Sequence, residues 1–260
     1  MPYANHQGIR IHYQVDGEGP PLVLQHGFTS SLKRWYMHGY VEALRQDYQL
    51  ILIDARGHGG SDKPHDPAAY DLSLRAGDVV AVLDDLHLRT AHFWGYSMGG
   101  RIGFGLAKYA PEHLASLIIG GMHPYERRLS AANRVAGTDP DAFVAALFGR
   151  LGMNPATLPP VARAELFAND FQALAALQRD EPSVEEILPT MTMPCLLYAS
   201  DADSYYPGVH KCVQSMPNAT FFALHGFNHG AGFQEAAGLV LPHVIKFLQA
   251  VTAGVKTSQK

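Results

Sequence analysis

Short apolar runs alternate along the chain with longer segments that carry apolar residues at helical spacing. The runs lie at residues 22–24, 49–53, 92–95 and 117–119. Continuous apolar runs of this length are typical of strands that are buried on both faces, as in parallel sheets. Residues 72–88 and 102–109 have the spacing of helices. The alternation predicts an α/β fold, with a mostly parallel sheet and helices on both of its faces. Residues 9–15 alternate apolar and polar side chains, which predicts an antiparallel edge strand.

The alternation stops between residues 122 and 193. This stretch contains helix-like patches at 143–151 and 161–177, several prolines and no convincing strand. Two more strands, at 195–198 and 220–224, and a final helix at about 232–251 follow. We therefore predict one core built from residues 1–121 and 194–260, with residues 122–193 inserted as a helical cap. Ligands of open α/β sheets bind at the carboxyl ends of the strands, so this insertion would cover the site.

Bulk properties exclude several classes of function. The 260 residues suit one α/β unit, and a net charge of −4 offers no basic field for nucleic acid or an anionic membrane. The first ten residues contain no apolar stretch of signal-peptide length, and no window reaches the ~18 apolar residues of a spanning helix. Cys195 lies in an apolar run, where a free cysteine packs as a small hydrophobe, and a disulfide between Cys195 and Cys212 is the less favoured alternative. We expect a cytoplasmic protein that binds a small molecule, and a homodimer stays open.

Ser97 is the predicted nucleophile. It lies in Gly95-Tyr96-Ser97-Met98-Gly99, a G-x-S-x-G motif that follows a predicted strand and precedes a predicted helix. The turn of such an elbow forces the serine towards positive φ, and the flanking glycines remove side chains that would clash with the neighbouring elements. The alternative interpretation is a helix N-cap serine with glycines that only allow close packing.

A serine hydroxyl needs an adjacent base, and an elbow serine is followed in the chain first by the acid and then by the histidine. Asp201 and Asp203 both follow the strand that starts at residue 195, and His225 and His229 both follow the next strand. His229 is favoured because its glycine-bounded loop can carry it to the serine. Strand alternation does not decide between the two aspartates. Two other downstream histidines fall in predicted helices: His210 and His243.

Two backbone N–H groups are candidates for an oxyanion hole. One belongs to Met98, at the start of the helix after the serine, where the helix dipole adds to the effect. The second belongs to Phe28, in the loop that follows the early strand. His26 precedes this loop, and we expect it to brace the loop rather than to act as a base.

These motifs together resemble the α/β-hydrolase superfamily over nearly the whole chain. The resemblance rests on 26–28, 54–62, 95–100, Asp203 and His229. It implies a Ser–Asp–His triad under a helical cap, with Asp203 as the acid, because 200–207 is similar to the acid loop G-x-x-D-x-x-x-P with serine in place of the glycine. Asp201 would then hold the turn. The resemblance also implies structural roles in the loop after the fourth strand for Arg56, His58 and Asp62.

Two positions where this chain differs from other enzymes of the fold reduce the number of reactions it could catalyse. Dehalogenases and epoxide hydrolases of this fold have aspartate where this chain has Ser97, and C–C hydrolases often have tryptophan where this chain has Gly230. Cleavage of an ester, lactone or thioester through an acyl-enzyme is therefore the leading hypothesis. Other acyl-transfer chemistry (C–C cleavage, perhydrolysis, peptidase action) and a slow-turnover receptor stay open. No cofactor is predicted, and no metal, since the glycine between His225 and His229 argues against a helix that would align them.

The composition of the predicted cap, rich in Leu, Phe and Ala, predicts a small or medium apolar acyl or alcohol group. Five residues are candidates for the pocket wall: Met122, Tyr125, Phe143, Phe148 and Phe167. Arg101 could approach an anionic substrate, but we interpret it as a structural or solvated residue.

Overall fold

A computed structural model of the chain describes residues 2–129, 139–150 and 154–258. Within these ranges eight strands form one sheet in the order β1-β2-β4-β3-β5-β6-β7-β8. The strands are β1 (Tyr3–His6), β2 (Ile9–Asp16), β3 (Pro21–Gln25), β4 (Gln49–Ile53), β5 (Ala91–Tyr96), β6 (Leu114–Gly120), β7 (Cys195–Ser200) and β8 (Ala219–Leu224). β2 is antiparallel to both β1 and β4, and every other pair is parallel. The predicted fold class is confirmed.

The apolar runs are continuous because successive residues of a strand point to opposite faces of the sheet, and both faces are covered. In β3, Leu22 and Leu24 belong to one buried cluster and Val23 to the other. Phe93 and Trp94 of β5 divide between the clusters in the same way. Each central strand therefore contributes to two cores.

Helices form the two covering layers and the insertion. They are α1 (Lys33–Met37), α2 (Tyr40–Leu44), α3 (Leu72–Asp85), α4 (Met98–Tyr109), α5 (Pro140–Arg150), α6 (Pro160–Phe167), α7 (Phe171–Leu177), α8 (Tyr206–Val213), α9 (Ala231–Gln234) and α10 (Ala237–Ser258). Residues of α3, α4 and α8 pack in one cluster, and residues of α1, α2 and α10 pack in the other. None of the helices in the described ranges combines the length and the apolar character needed to cross a bilayer.

The segment between β6 and β7 holds α5, α6 and α7, which share an apolar cluster separate from the two sheet cores. Phe28, from the loop after β3, packs against this cluster, with its ring centroid 6.3 Å from that of Phe143. The inserted helices therefore contact the core at the carboxyl end of the sheet. The exact boundaries of a cap at residues 122 and 193 stay a prediction.

Three local expectations were wrong. β2 is not an edge strand, because β1 pairs with its free side, and the mostly polar sequence of β1 hides it from a search for apolar patterns. The patch at 161–177 is two helices, because the Asp170 side chain accepts the N–H groups of Gln172 and Ala173 and starts a new helix there. The final helix begins at Ala237, and the shorter α9 precedes it.

Candidate active site

Ser97 occupies a sharp turn between β5 and α4, with φ +54° and ψ −116°. Its N–H donates to the carbonyl of Gly120 at 2.8 Å. A side chain on Gly95 would overlap the backbone of Gly99, and one on Gly99 would overlap the carbonyl of Gln25 in β3. Only glycine fits at these two positions, so the motif permits a close approach of three backbone segments and keeps Ser97 in the left-handed region.

The turn brings Ser97 beside a histidine and an aspartate from two other strand ends. Nε2 of His229 lies 2.8 Å from Oγ of Ser97, and Nδ1 of His229 lies 2.7 Å from Oδ2 of Asp203. Asp203 follows β7 and His229 follows β8. Both side chains are buried, and the second carboxylate oxygen of Asp203 accepts the N–H of Tyr205 at 3.0 Å. With Nδ1–H donating to Asp203, Nε2 is free to accept the serine proton.

Two tyrosines hold His229, and neither was singled out from the sequence. The hydroxyl of Tyr96 donates to the carbonyl of His229 at 2.6 Å. Their rings lie 5.4 Å apart, and the ring of Tyr205 is 5.0 Å from that of His229. Burial raises the pKa of Tyr96 well above its ordinary value, so its hydroxyl keeps the proton it donates. Tyr96 directly precedes Ser97, and Tyr205 follows Asp203 after one intervening residue, which is the signal that the sequence offered for them.

Asp201 does not reach Ser97. Its side chain accepts the N–H of Gly226 at 2.8 Å and lies 2.9 Å from Nδ1 of His225. The His225 side chain is 81% exposed and that of Asp201 is 46% exposed. The two residues left as alternatives by strand position therefore form their own surface pair, which ties the loop after β7 to the loop after β8.

The loop after β3 lies against Ser97 and carries Phe28. In the part of the chain that the structure describes, neither the Phe28 N–H nor the Met98 N–H donates to another protein group. His26 braces the base of this loop: its Nδ1 donates to the carbonyl of Gly27 at 2.8 Å, and its Nε2 accepts the N–H of Ala55 at 3.1 Å.

His58 supports the same loop from the other side. Its Nδ1 lies 3.2 Å from the carbonyl of Arg56, and its Nε2 accepts the N–H of Thr29, which has φ +60°, at 3.2 Å. Burial, assisted by the nearby His26, lowers the pKa of His58 to about 3. Burial also lowers the pKa of His26. Both histidines are therefore neutral near pH 7, and their acceptor nitrogens can hold the loop.

Arg56 and Asp62 also have structural partners. The Arg56 guanidinium binds the Asp78 carboxylate, with Nε 2.6 Å from Oδ2, and Asp62 accepts the backbone N–H of Arg10 at 2.8 Å. Neither makes a contact with the Ser97–His229–Asp203 cluster.

A cavity of about 730 Å³ opens over Ser97 and His229. One wall is apolar and comes from the inserted segment: Leu129, Leu147, Phe148, Leu158, Ala162 and Leu166. The remaining lining includes five basic residues: Lys33, Arg34, Lys63, Arg127 and Arg128. A second cavity of about 40 Å³ also reaches Ser97 and is lined by Met122, Arg101, Arg127 and Glu181 among others.

The predicted pocket residues divide between wall and core. Phe148 lines the large cavity and Met122 the small one. Phe143 lines neither, because it is completely buried in the cluster of the inserted helices. Phe167 packs against Phe171 outside both cavities, and Tyr125 lies against His123 and Lys211. Composition predicted the apolar wall but not the basic residues that face it.

Comparison with known proteins identifies the family of this chain. The family model described as alpha/beta hydrolase fold matches residues 20–176, which is more than half of the chain. The chain therefore belongs to the alpha/beta hydrolase family, and it is a hydrolase of that superfamily.

The individual relatives that match over most of their length have low sequence identity to this chain. A protein of Stutzerimonas stutzeri named as a carbamate hydrolase, RutD, is 28% identical over 87% of this chain and 92% of its own length. Several other curated relatives match over less than half of their own length. The solved enol-lactonase of Burkholderia xenovorans superimposes with a TM-score of 0.81 at 24% identity, over 95% of this chain and all of the other. The esterase RhEst1 of Rhodococcus gives 0.79 at 25% identity, over 96% and 98%.

The two neutral histidines predict a pH dependence of stability. The pKa of His58 is about 3 in the folded protein and near 6.5 when unfolded, so the unfolded chain binds more protons between these values. The stabilisation by neutral His58 is complete above pH 6.5 and is lost as the pH falls towards 3. One such histidine contributes up to about 1.4 kcal/mol per pH unit to the slope of the free energy of unfolding against pH.

The His58→Gln variant should therefore show a shallower fall in the free energy of unfolding than the wild type. Urea unfolding at pH 7, 6 and 5 measures this slope. His210→Gln, at an exposed histidine of α8 that has no acid partner among the described residues, is the control and should keep the wild-type slope. Equal slopes for the wild type and His58→Gln would contradict the burial of a neutral His58.

Proposed function

We propose that the protein is a serine hydrolase that forms an acyl-enzyme on Ser97, with His229 as general base and Asp203 as its partner. The observation that carries the proposal is the unbroken chain of contacts Ser97 Oγ–His229 Nε2–Asp203 Oδ2, at 2.8 and 2.7 Å. In this arrangement His229 accepts the hydroxyl proton as Oγ attacks the substrate carbonyl, and Asp203 stabilises the imidazolium that results. His229 then returns the proton to the leaving group, and a water molecule releases the acyl group by the same route.

The negative oxygen of the tetrahedral intermediate needs hydrogen-bond donors. We assign this role to the N–H groups of Met98 and Phe28, which have no other protein acceptor in the described residues. Met98 is the first residue of α4, so the dipole of that helix favours negative charge at the same point. A donor of this kind typically contributes ~2.7–4 kcal/mol of transition-state stabilisation.

The bond we propose for cleavage is a carboxylic ester, lactone or thioester. Gly230 after the histidine leaves space where relatives that cleave C–C bonds often carry tryptophan. The similar proteins include one named as an esterase and one named as a carbamate hydrolase, and both names denote cleavage of a bond to a carbonyl carbon. A cavity of about 730 Å³ is large enough for a small or medium substrate.

The assignment of the acid predicts different outcomes for two neighbouring aspartates. Asp203→Asn keeps the shape of the side chain but presents an amide N–H to Nδ1 of His229, which forces the wrong tautomer. The turnover number should fall by roughly 10⁴, as it does for this change in a serine-protease triad. Asp201→Asn is the matched control, and its effect should be confined to stability.

Hydrolysis of p-nitrophenyl acetate by both purified variants decides the point. A dead Asp201→Asn beside an active Asp203→Asn would show that the acid was assigned to the wrong residue.

The placement of two phenylalanines predicts a separation of selectivity from stability. Phe148→Ala removes part of the cavity wall and should shift the preferred acyl chain length of p-nitrophenyl esters by several carbons. Phe143→Ala removes a fully buried ring and should lower stability by about 3–5 kcal/mol with a smaller change in chain-length preference. An ester series from acetate to decanoate and a urea titration measure the two effects. The proposed wall is wrong if both variants lose stability and neither changes selectivity.

A further inference from the structure

A buried ionic cluster adjoins Ser97. Glu181 is surrounded by three arginines: its Oε1 lies 2.5 Å from Nη2 of Arg75, and its Oε2 lies 3.4 Å from Nε of Arg101 and 3.6 Å from Nη2 of Arg127. Arg127 and Glu181 are also joined through their backbones by an isolated bridge. The cluster fastens the loop after β6 to the segment before β7.

This cluster contains more positive charge than its own acid can neutralise. Three guanidinium groups meet one carboxylate, and Asp180, which also acts electrostatically on Arg127, is exposed to water. Within the described residues the Nε groups of Arg101 and Arg127 are buried and have no hydrogen-bond partner. One buried carboxylate does not neutralise three guanidinium groups, so the arrangement favours a further anion at this point.

Arg127 is the member of the cluster that lines both cavities, whereas Arg101 and Glu181 line the small cavity alone. Arg101 is almost fully buried, and its guanidinium donates to the carbonyls of Pro124, at 2.7 Å, and Pro182. The Arg127 side chain is 33% exposed and lines both the large and the small cavity, each of which also reaches Ser97. The hydroxyl of Tyr205, which lines both cavities as well, is a further partner of Arg127.

The lining of the large cavity is positively charged, like the cluster around Glu181. Its described lining contains five lysines and arginines but only two acids, Asp54 and Glu165. Two of the basic residues are already paired with acids, because Arg34 lies 3.8 Å from Glu165 and Arg128 lies 2.9 Å from Glu126. The Asp54 carboxylate is already bound by the N–H groups of Leu32 and Gly60 and by His12. The chain as a whole carries −4, so this positive surface is local to the cavity. A cleft lined by one sign of charge concentrates ligands of the opposite sign.

We propose that the substrate of this hydrolase carries a free carboxylate in addition to the bond that is cleaved, and that Arg127 binds this carboxylate. The inference rests on the proposed function of Ser97, because it names the substrate class of the same site. The guanidinium matches a planar carboxylate in geometry. The small cavity of about 40 Å³ that joins Arg127 to Ser97 has room for a group of about that size.

Matched ester pairs test the proposal. The first pair is mono(4-nitrophenyl) adipate and its methyl ester, which differ only in the charge of the acyl group. The second is 4-carboxyphenyl acetate and its methyl ester, which carry the charge on the leaving group. For at least one pair, wild-type kcat/KM should favour the anion by about tenfold or more, as a charge-assisted hydrogen bond provides.

Arg127→Met should reduce that ratio of anionic to neutral substrate by about tenfold to a hundredfold, and Arg127→Lys should keep part of it. Arg163→Met, at an exposed arginine of α6 outside the cavity lining, is the control and should keep the wild-type ratio. Melting temperatures establish that each variant is folded. If Arg127→Met does not fold, Arg127→Lys takes its place. A ratio of anionic to neutral substrate below the wild-type value then supports the proposal, and the wild-type ratio contradicts it.

The two ways of failing can be told apart. If the neutral esters are hydrolysed and Ser97 is acylated, but Arg127→Met has the wild-type ratio for both pairs, the carboxylate site is refuted and the proposed function stands. If a fluorophosphonate fails to label Ser97 and no ester is hydrolysed, the proposed function is refuted and the carboxylate site with it.

Discussion

The arrangement of the site depends on the backbone approach at Ser97. Three segments meet there: the end of β5, the start of α4 and the end of β3, and the glycines on either side of the turn allow the contact. A residue with a side chain is held at φ +54° because the sheet and α4 fix both of its ends. The serine hydroxyl is thereby presented at the carboxyl edge of the sheet, where the loops after β7 and β8 can bring Asp203 and His229.

The histidines of this region have two different electrostatic environments. His26 and His58 are buried, neutral and bound to backbone groups, so they stiffen the loop that carries Phe28. His229 has a carboxylate on one nitrogen and a hydroxyl on the other, which is the arrangement for moving a proton. The same side chain thus supports a rigid loop where its nitrogens are saturated by the backbone, and suits proton transfer where they are not.

Much of this could be predicted from the sequence, because the strands are buried on both faces and end in polar residues. Runs such as Leu22-Val23-Leu24 have this form in any parallel sheet, and the strand ends located Ser97 and the loops of Asp203 and His229. The packing of individual side chains in the inserted helices could not be predicted in the same way. Phe143 and Phe148 are equally apolar in the sequence and both belong to the buried cluster of the inserted helices, and only the packing of α5 places Phe148 on the cavity wall as well.

Arg127 was missed because its partner Glu181 lies far along the chain and because Arg127 itself lies well beyond Gly120, the end of β6. The acyl-enzyme on Ser97 can be detected by mixing the protein with p-nitrophenyl acetate, quenching in acid and mapping the acetyl group by mass spectrometry. An acyl-enzyme on Ser97 gives a burst of nitrophenol close to one equivalent and an acetyl group on the peptide that contains Ser97, with neither in Ser97→Ala. An acetyl group on another residue, or equal turnover by Ser97→Ala, would contradict it.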